Sequence, residues 1–396
     1  MDVWPHPRVG SMSASAPDLE LDYLLACLAH GLDESRPWPH PPRGLDGKRV
    51  LRLAEQNRIS GLVHALGPAP EELREPLRIE RYRWLAHAEE SRTRVQRVLS
   101  ALTTAGLEVI VLKGWAYIYS IYGGDASRRL CSDVDLLVHP RDAESAGKIL
   151  RSIGCAPEPP LWPGYAQRYH NGEIYFFAPL TELKKDSFSV GLHWGLLHVP
   201  SYDPARVDVG GLFARARRLT VTGVDVFDLG EADSIVYACA HLGLHHRFEP
   251  DLFRFYDIAA LIRSASGLDW DAVARTASDW EVILPVRWAL DRVESFWPGS
   301  IPVSARQGLA QLHPSRRERF VDRWQAWAKG RSAFDSPLVW LTFPDWRQRP
   351  LIFLQELFPS TDYLRLRYGP AALKAWPFLY FRRLGRGILA LLRRGI

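Results

Sequence analysis

Apolar residues repeat at helical spacing toward both ends of the chain and gather into short uninterrupted runs in its middle. Leu21, Tyr23, Leu24, Leu25 and Leu28 form an apolar stripe behind Asp18, a good capping residue, so residues 18–35 are predicted helical. Pro37, Pro39, Pro41 and Pro42 break the chain there. Helices are predicted at 46–66 and 71–105, with Gly106 as the stop signal of the second. The pattern then changes. Leu107-Glu108-Val109-Ile110-Val111-Leu112 reads as a buried strand, 115–122 as a helix, 133–138 as a strand and 141–153 as a helix. Two more strands are expected near 172–178 and 186–194. Helical texture returns at 231–247, 251–265, 270–276 and 280–296 and, beyond Pro298 and Pro302, at 303–330. Ser336 to Pro359, rich in prolines and aromatics, reads as an extended wrapping segment. Helices, then a strand-rich block, then helices predict an α+β fold with a mixed sheet.

The strand 133–138 carries the most informative pair. Asp133 and Asp135 lie two residues apart and so share one face of a strand. Two buried like charges are costly unless a cation lies between them. Magnesium, or manganese, is the usual ion for such an oxygen-only site, and it normally also binds substrate phosphates. Lys113-Gly114 sits between the preceding strand and helix. A glycine there lets backbone N–H groups approach an anion, and the lysine adds a mobile cation. Arg129 either binds phosphate or pairs with one of the two aspartates. The order is phosphate cradle, arginine, metal carboxylates, as a nucleotidyl-transfer site needs. His241 and His245, four apart, share a helix face. With Asp257 they form either a metal site or a buried structural network; the absence of a third ligand at zinc-like spacing favours the network.

Leu112-Lys113-Gly114, Tyr122, Arg129 and Asp133-Val134-Asp135-Leu136-Leu137-Val138 together resemble the signature of the uncharacterised nucleotidyltransferase family of the polymerase-β superfamily. Leu192-His193-Trp194, the His241-x-x-x-His245 helix followed by Asp257, and Leu268-Asp269-Trp270 resemble later pieces of that family. The resemblance implies a polymerase-β-like core with an added helical domain. It also implies a third carboxylate just before Leu-His-Trp, where this chain has Gly191. Without that acid a metal site lacks a ligand and the expected base for the attacking hydroxyl. Glu173, Glu182 and Asp186 lie upstream, and Glu173 and Asp186 are the candidate substitutes.

Charge changes the picture at one end only. Residues 361–396 hold eight basic residues against Asp362, a net +7, while the whole chain carries +5, so the body is at −2. General nucleic-acid binding by the body is therefore not expected. Trp376 to Leu392 interleaves arginines with Phe378, Tyr380, Phe381, Leu384 and Ile388, a basic amphipathic pattern suited to an anionic membrane surface, an acidic partner or the protein's own body. Cys27, Cys131, Cys155 and Cys239 have no paired spacing and read as free thiols of a cytoplasmic protein. No run reaches the roughly 18 apolar residues of a membrane span. Residues 1–17 lack the apolar core of a signal peptide and are expected to be disordered.

The expected organisation is a disordered N-terminus (1–17), a helical region (18–105), the nucleotidyltransferase core (106–228), a helical domain (229–335), and the wrapping segment with its tail (336–396). The expected activity is metal-dependent transfer of a nucleoside monophosphate from an NTP to a hydroxyl or phosphate of a small molecule or modified peptide. Analogy with the family suggests natural-product tailoring. Gly191 supports a rival reading, a catalytically impaired nucleotide- or partner-binding protein. A third keeps the fold and changes the donor to a nucleotide-sugar.

Overall fold

The computed structural model describes residues 18–157, 172–177, 188–197, 202–247, 251–328, 342–343, 345–369, 377–382 and 385. Four helices come first: α1 (Leu19–Leu32), α2 (Gly47–Gln56), α3 (Ser60–Leu66) and α4 (Glu71–Thr104). Asp18 caps α1 by accepting from the Leu21 N–H at 3.3 Å, and Asp46 caps α2 through Lys48 and Arg49. The single helix expected over 46–66 is two helices. Arg58 takes a left-handed φ of 53° between them. The adjacent Asn57 caps α2, its Nδ2 donating to the Leu53 carbonyl at 2.9 Å, and its Oδ1 accepts from the Leu252 N–H.

The sheet contains β1 (Ile110–Leu112), β2 (Asp133–Leu137), β3 (Ala156–Pro157), β4 (Glu173–Phe177), β5 (Ser189–His193), β6 (Arg217–Val221) and β7 (Val224–Asp228), in the order β3-β4-β5-β2-β1-β7-β6. Helices α5 (Gly114–Ser120) and α6 (Ala143–Ser152) follow β1 and β2, and α7 (Val209–Arg215) precedes β6. The strands are shorter than the apolar runs suggested, because pairing limits them. β1 is antiparallel to β2, β2 parallel to β5, and β4 antiparallel to β5.

The β6–β7 hairpin was not among the expected elements. Its turn is Thr222-Gly223, both at positive φ, which suits a two-residue loop. β7 then pairs parallel to β1 through Phe227 and Ile110.

Beyond the sheet run α8 (Glu231–His245), α9 (Leu252–Ser264), α10 (Trp270–Asp279), α11 (Ile283–Phe296), α12 (Val303–Gln311), α13 (Arg316–Ala328), α14 (Arg349–Leu357) and α15 (Thr361–Tyr368). The helix expected over 303–330 is divided at Pro314. Ser315 restarts it: its N–H donates to Glu318 Oε2 at 2.9 Å, and the Glu318 N–H donates to Ser315 Oγ at 3.1 Å. One hydrophobic cluster joins Leu24 and Leu28 of α1, Val134 and Leu136 of β2, Val236 of α8 and Leu290 of α11. The expected disorder of residues 1–17 and most of the basic tail fall outside the described residues. No described helix is long and apolar enough to cross a membrane.

Candidate active site

β2 is a central strand, buried except at its start. Its partners fix which side chains share its face. Asp135 lies opposite Leu112 of β1 and Gly191 of β5, and His193 lies opposite both Leu137 of β2 and Glu173 of β4. Alternation along each strand therefore puts Asp133, Asp135, His193 and Glu173 on one side of the sheet.

Lys113 closes this face from the end of β1. It holds φ 50°, ψ −141°, an uncommon backbone state for a residue with a side chain. The turn aims its ammonium back at the sheet, 2.9 Å from Asp135 Oδ2. Gly114 opens α5, and a Cβ there would lie 3.0 Å from Cys131 Sγ. The glycine is thus needed for close packing against Cys131, whose thiol burial pushes up to about 12.

The two aspartates differ. Burial would raise Asp135, but Lys113 and His193 overcome it and hold the carboxyl well below the usual range. Burial and the neighbouring charge of Asp135 push Asp133 up. Lys113 is kept protonated by Asp135 in spite of its burial.

Glu173 and His193 complete the constellation. His193 Nε2 lies 3.3 Å from Asp135 Oδ1 and 3.3 Å from Glu173 Oε1. One ligand atom from each of the three residues falls within 4.8 Å of the others. Asp135 is 6% exposed, Glu173 3% and His193 0%. Gly191 explains how they fit. A Cβ at 191 would overlap Asp135 Oδ1 and approach His193 Nε2 to 3.0 Å. The position that resembles the family's third acid is where these two side chains converge. Of the candidate substitute acids, Glu173 stands beside Asp135. Asp186 and Glu182 lie outside the described residues.

Arg129 departs from the expected pairing with an aspartate of β2. Its Nε donates to Asp257 Oδ2 at 2.8 Å, its Nη1 donates to the Leu130 carbonyl, and its guanidinium lies 4.6 Å from the Phe253 ring centre. It pairs with neither aspartate of β2. Asp257 Oδ1 accepts from the Tyr122 hydroxyl at 2.6 Å. The expected network of His241, His245 and Asp257 is corrected accordingly. Asp257 belongs with Arg129 and Tyr122, since burial demands a strong cation for it and the guanidinium supplies one.

His241 stacks on His245 with ring centres 4.8 Å apart, His246 lies 5.0 Å from His241, and His245 is exposed. His241 Nε2 lies 3.2 Å from Lys113 Nζ. Burial and the Lys113 charge push His241 well below the ordinary histidine value, so it is neutral and accepts from the ammonium. Burial, with Arg254 and Lys113, pushes His246 down to about 3.

Tyr237, buried one turn before His241, presents its ring 5.7 Å from Lys113 Nζ. It was not among the expected site residues, although Tyr237, His241 and His245 recur every four residues on one helix face. Trp194 continues β5, its N–H donating to the Gly172 carbonyl at 2.6 Å.

The sequence matches the family described as uncharacterised nucleotidyltransferase over residues 43–298. No match is found among curated proteins. Among solved structures, that of the antibiotic-resistance factor ANT(2'')-Ia is similar at 14% identity and a TM-score of 0.33, covering 52% of this chain and 97% of that one. With a mixed sheet carrying the Lys-Gly turn and the Asp-x-Asp strand side by side, flanked by N-terminal and C-terminal helices, the chain belongs to the uncharacterised nucleotidyltransferase family.

Proposed function

We propose that this protein transfers a nucleoside monophosphate from an NTP to a hydroxyl or phosphate of a small molecule or modified peptide. The observation that carries this reading is the placement of Lys113 against Asp135, 2.9 Å apart, at the edge of a face that also holds Asp133. A polyphosphate needs a cation at its β- and γ-groups and a divalent metal on its oxygens. Lys113 supplies the first at the Lys113-Gly114 turn. Asp133 and Asp135 are the residues to hold magnesium or manganese. The donor set fits such an ion: two carboxylates two residues apart, with Glu173 close by as the acid that Gly191 lacks. When bound, the metal supplies charge neutralisation of the phosphates. Arg129 positions this site through Asp257 and Tyr122 rather than touching phosphate. The helical region beginning at α8 brings His241 and Tyr237 to the same lysine and forms the acceptor side. A role in natural-product tailoring fits a small-molecule acceptor.

Water can replace an unknown acceptor, so slow NTP cleavage tests the chemistry. With Mg2+ or Mn2+ the products should be a nucleoside monophosphate and pyrophosphate, and Asp133→Asn should abolish them. Release of a nucleoside diphosphate and orthophosphate, or cleavage indifferent to Asp133→Asn, contradicts the proposal. Tight metal-dependent NTP binding with no cleavage of any kind supports the impaired binder that Gly191 suggested.

A further inference from the structure

We infer that Asp135, Glu173 and His193 form a mixed nitrogen–oxygen metal site that takes a first-row transition ion of the Mn2+ or Zn2+ class in preference to Mg2+. This rests on reading the sheet face as a metal-dependent transfer site, and it refines the oxygen-only site expected from the Asp pair.

Three observations carry it. The first is spacing. His193 Nε2 stands 3.3 Å from one oxygen of Asp135 and 3.3 Å from one of Glu173. Ligands about 2.1 Å from a common ion are separated by about 3.0 Å at a right angle and about 3.4 Å at the tetrahedral angle, so these separations are those of neighbouring vertices. The second is burial. All three side chains are nearly sealed from water, so an ion among them would be held by protein donor atoms with little competition from solvent. The third is Gly191. Any side chain there would strike Asp135 Oδ1 and crowd His193 Nε2. The glycine thus keeps open the space where the donor atoms meet. A single strand register assembles the set, with Glu173 opposite His193 and Gly191 opposite Asp135.

The ligand chemistry sets the ion. Magnesium prefers oxygen and gains little from an imidazole, whereas first-row transition ions bind imidazole readily and tolerate carboxylates beside it. Lys113 stays on the other oxygen of Asp135, Oδ2, and leaves Oδ1 to face His193.

The test uses the metal-free full-length protein, without nucleotide, so its result is separate from that of the transfer reaction. Mn2+ is added and the bound ion is examined by pulsed electron paramagnetic resonance for coupling to a histidine nitrogen. One tightly bound Mn2+ with nitrogen coupling is expected, and Mg2+ should displace it only at a large excess, about tenfold or more. His193→Gln should remove the coupling and weaken Mn2+ binding at least about tenfold. Gly191→Ala, which adds one methyl to the cradle, should do the same and serves if His193→Gln does not fold. Bound Mn2+ without nitrogen coupling in the wild-type protein overturns the inference and leaves His193 as a hydrogen-bond donor between two acids. Coupling that persists in the folded His193→Gln variant also overturns it, because the nitrogen then comes from elsewhere, such as the His241–His246 cluster. Equal affinity for Mg2+ and Mn2+ overturns the stated preference. Nitrogen-coupled Mn2+ in a protein that cleaves no NTP sustains the metal site and defeats only the transfer reaction.

Discussion

Single residues decide most of this site, and Gly191 does so by what it lacks. Read in sequence, it is a missing acid. In the structure a side chain at that position would meet Asp135 and His193. Gly191→Asp is therefore expected to lose divalent-metal and NTP binding, as measured by calorimetry, and a gain of affinity or activity would contradict this account. Asp133, Asp135 and Lys113 were legible in the sequence because their relation is local, a turn and one strand in period two. Glu173 was legible only as a nearby acid. Its partnership with His193 depends on an antiparallel register across a stretch that no local pattern encodes. Arg129 was legible as a site residue but not as the partner of Asp257, 128 positions away.

At the scale of elements, α8 is the piece whose chemistry exceeds its helical pattern. Its apolar residues pack against α9, α10 and α11, while Tyr237 and His241 point at Lys113. His241 and His246 are held neutral in the folded protein, the latter down to about 3 against an ordinary value of 6.5. Both folded values lie below the unfolded value, so the unfolded chain binds protons that the folded one refuses. Stability should then fall as pH drops from about 6.5 toward 3. Urea denaturation across that range should show a shallower pH dependence in His241→Gln/His246→Gln than in the wild-type protein. Equal slopes would mean that these imidazoles are protonated in the folded state. Helix boundaries elsewhere were less legible where capping outweighed periodicity. Arg58 and Pro314 interrupt apolar stripes that continue through them, and Ser315 with Glu318 restarts the second. The β6–β7 hairpin lay in polar strands whose only strong signal was Thr222-Gly223.

For the whole molecule, the α+β class was legible because helical and strand periodicities separate cleanly along the chain. The joining of its parts was not. Asn57 accepts from Leu252 at the start of α9, and Trp297 Nε1 donates to the Leu25 carbonyl at 3.2 Å, so the N-terminal helices and the late helices hold each other. One apolar cluster runs through both and through the sheet. We propose that regions 18–105, 106–228 and 229–335, separate by pattern, unfold as one unit. Tryptophan fluorescence and far-ultraviolet dichroism should report coincident transitions; two resolved transitions would restore independent domains. The sheet face itself is tested by NTP calorimetry with and without divalent metal. Binding to the wild-type protein should depend on the metal and weaken at least about tenfold, or 1.4 kcal/mol, in Asp133→Asn/Asp135→Asn. Affinity that is the same in both proteins, with or without metal, would contradict that dependence.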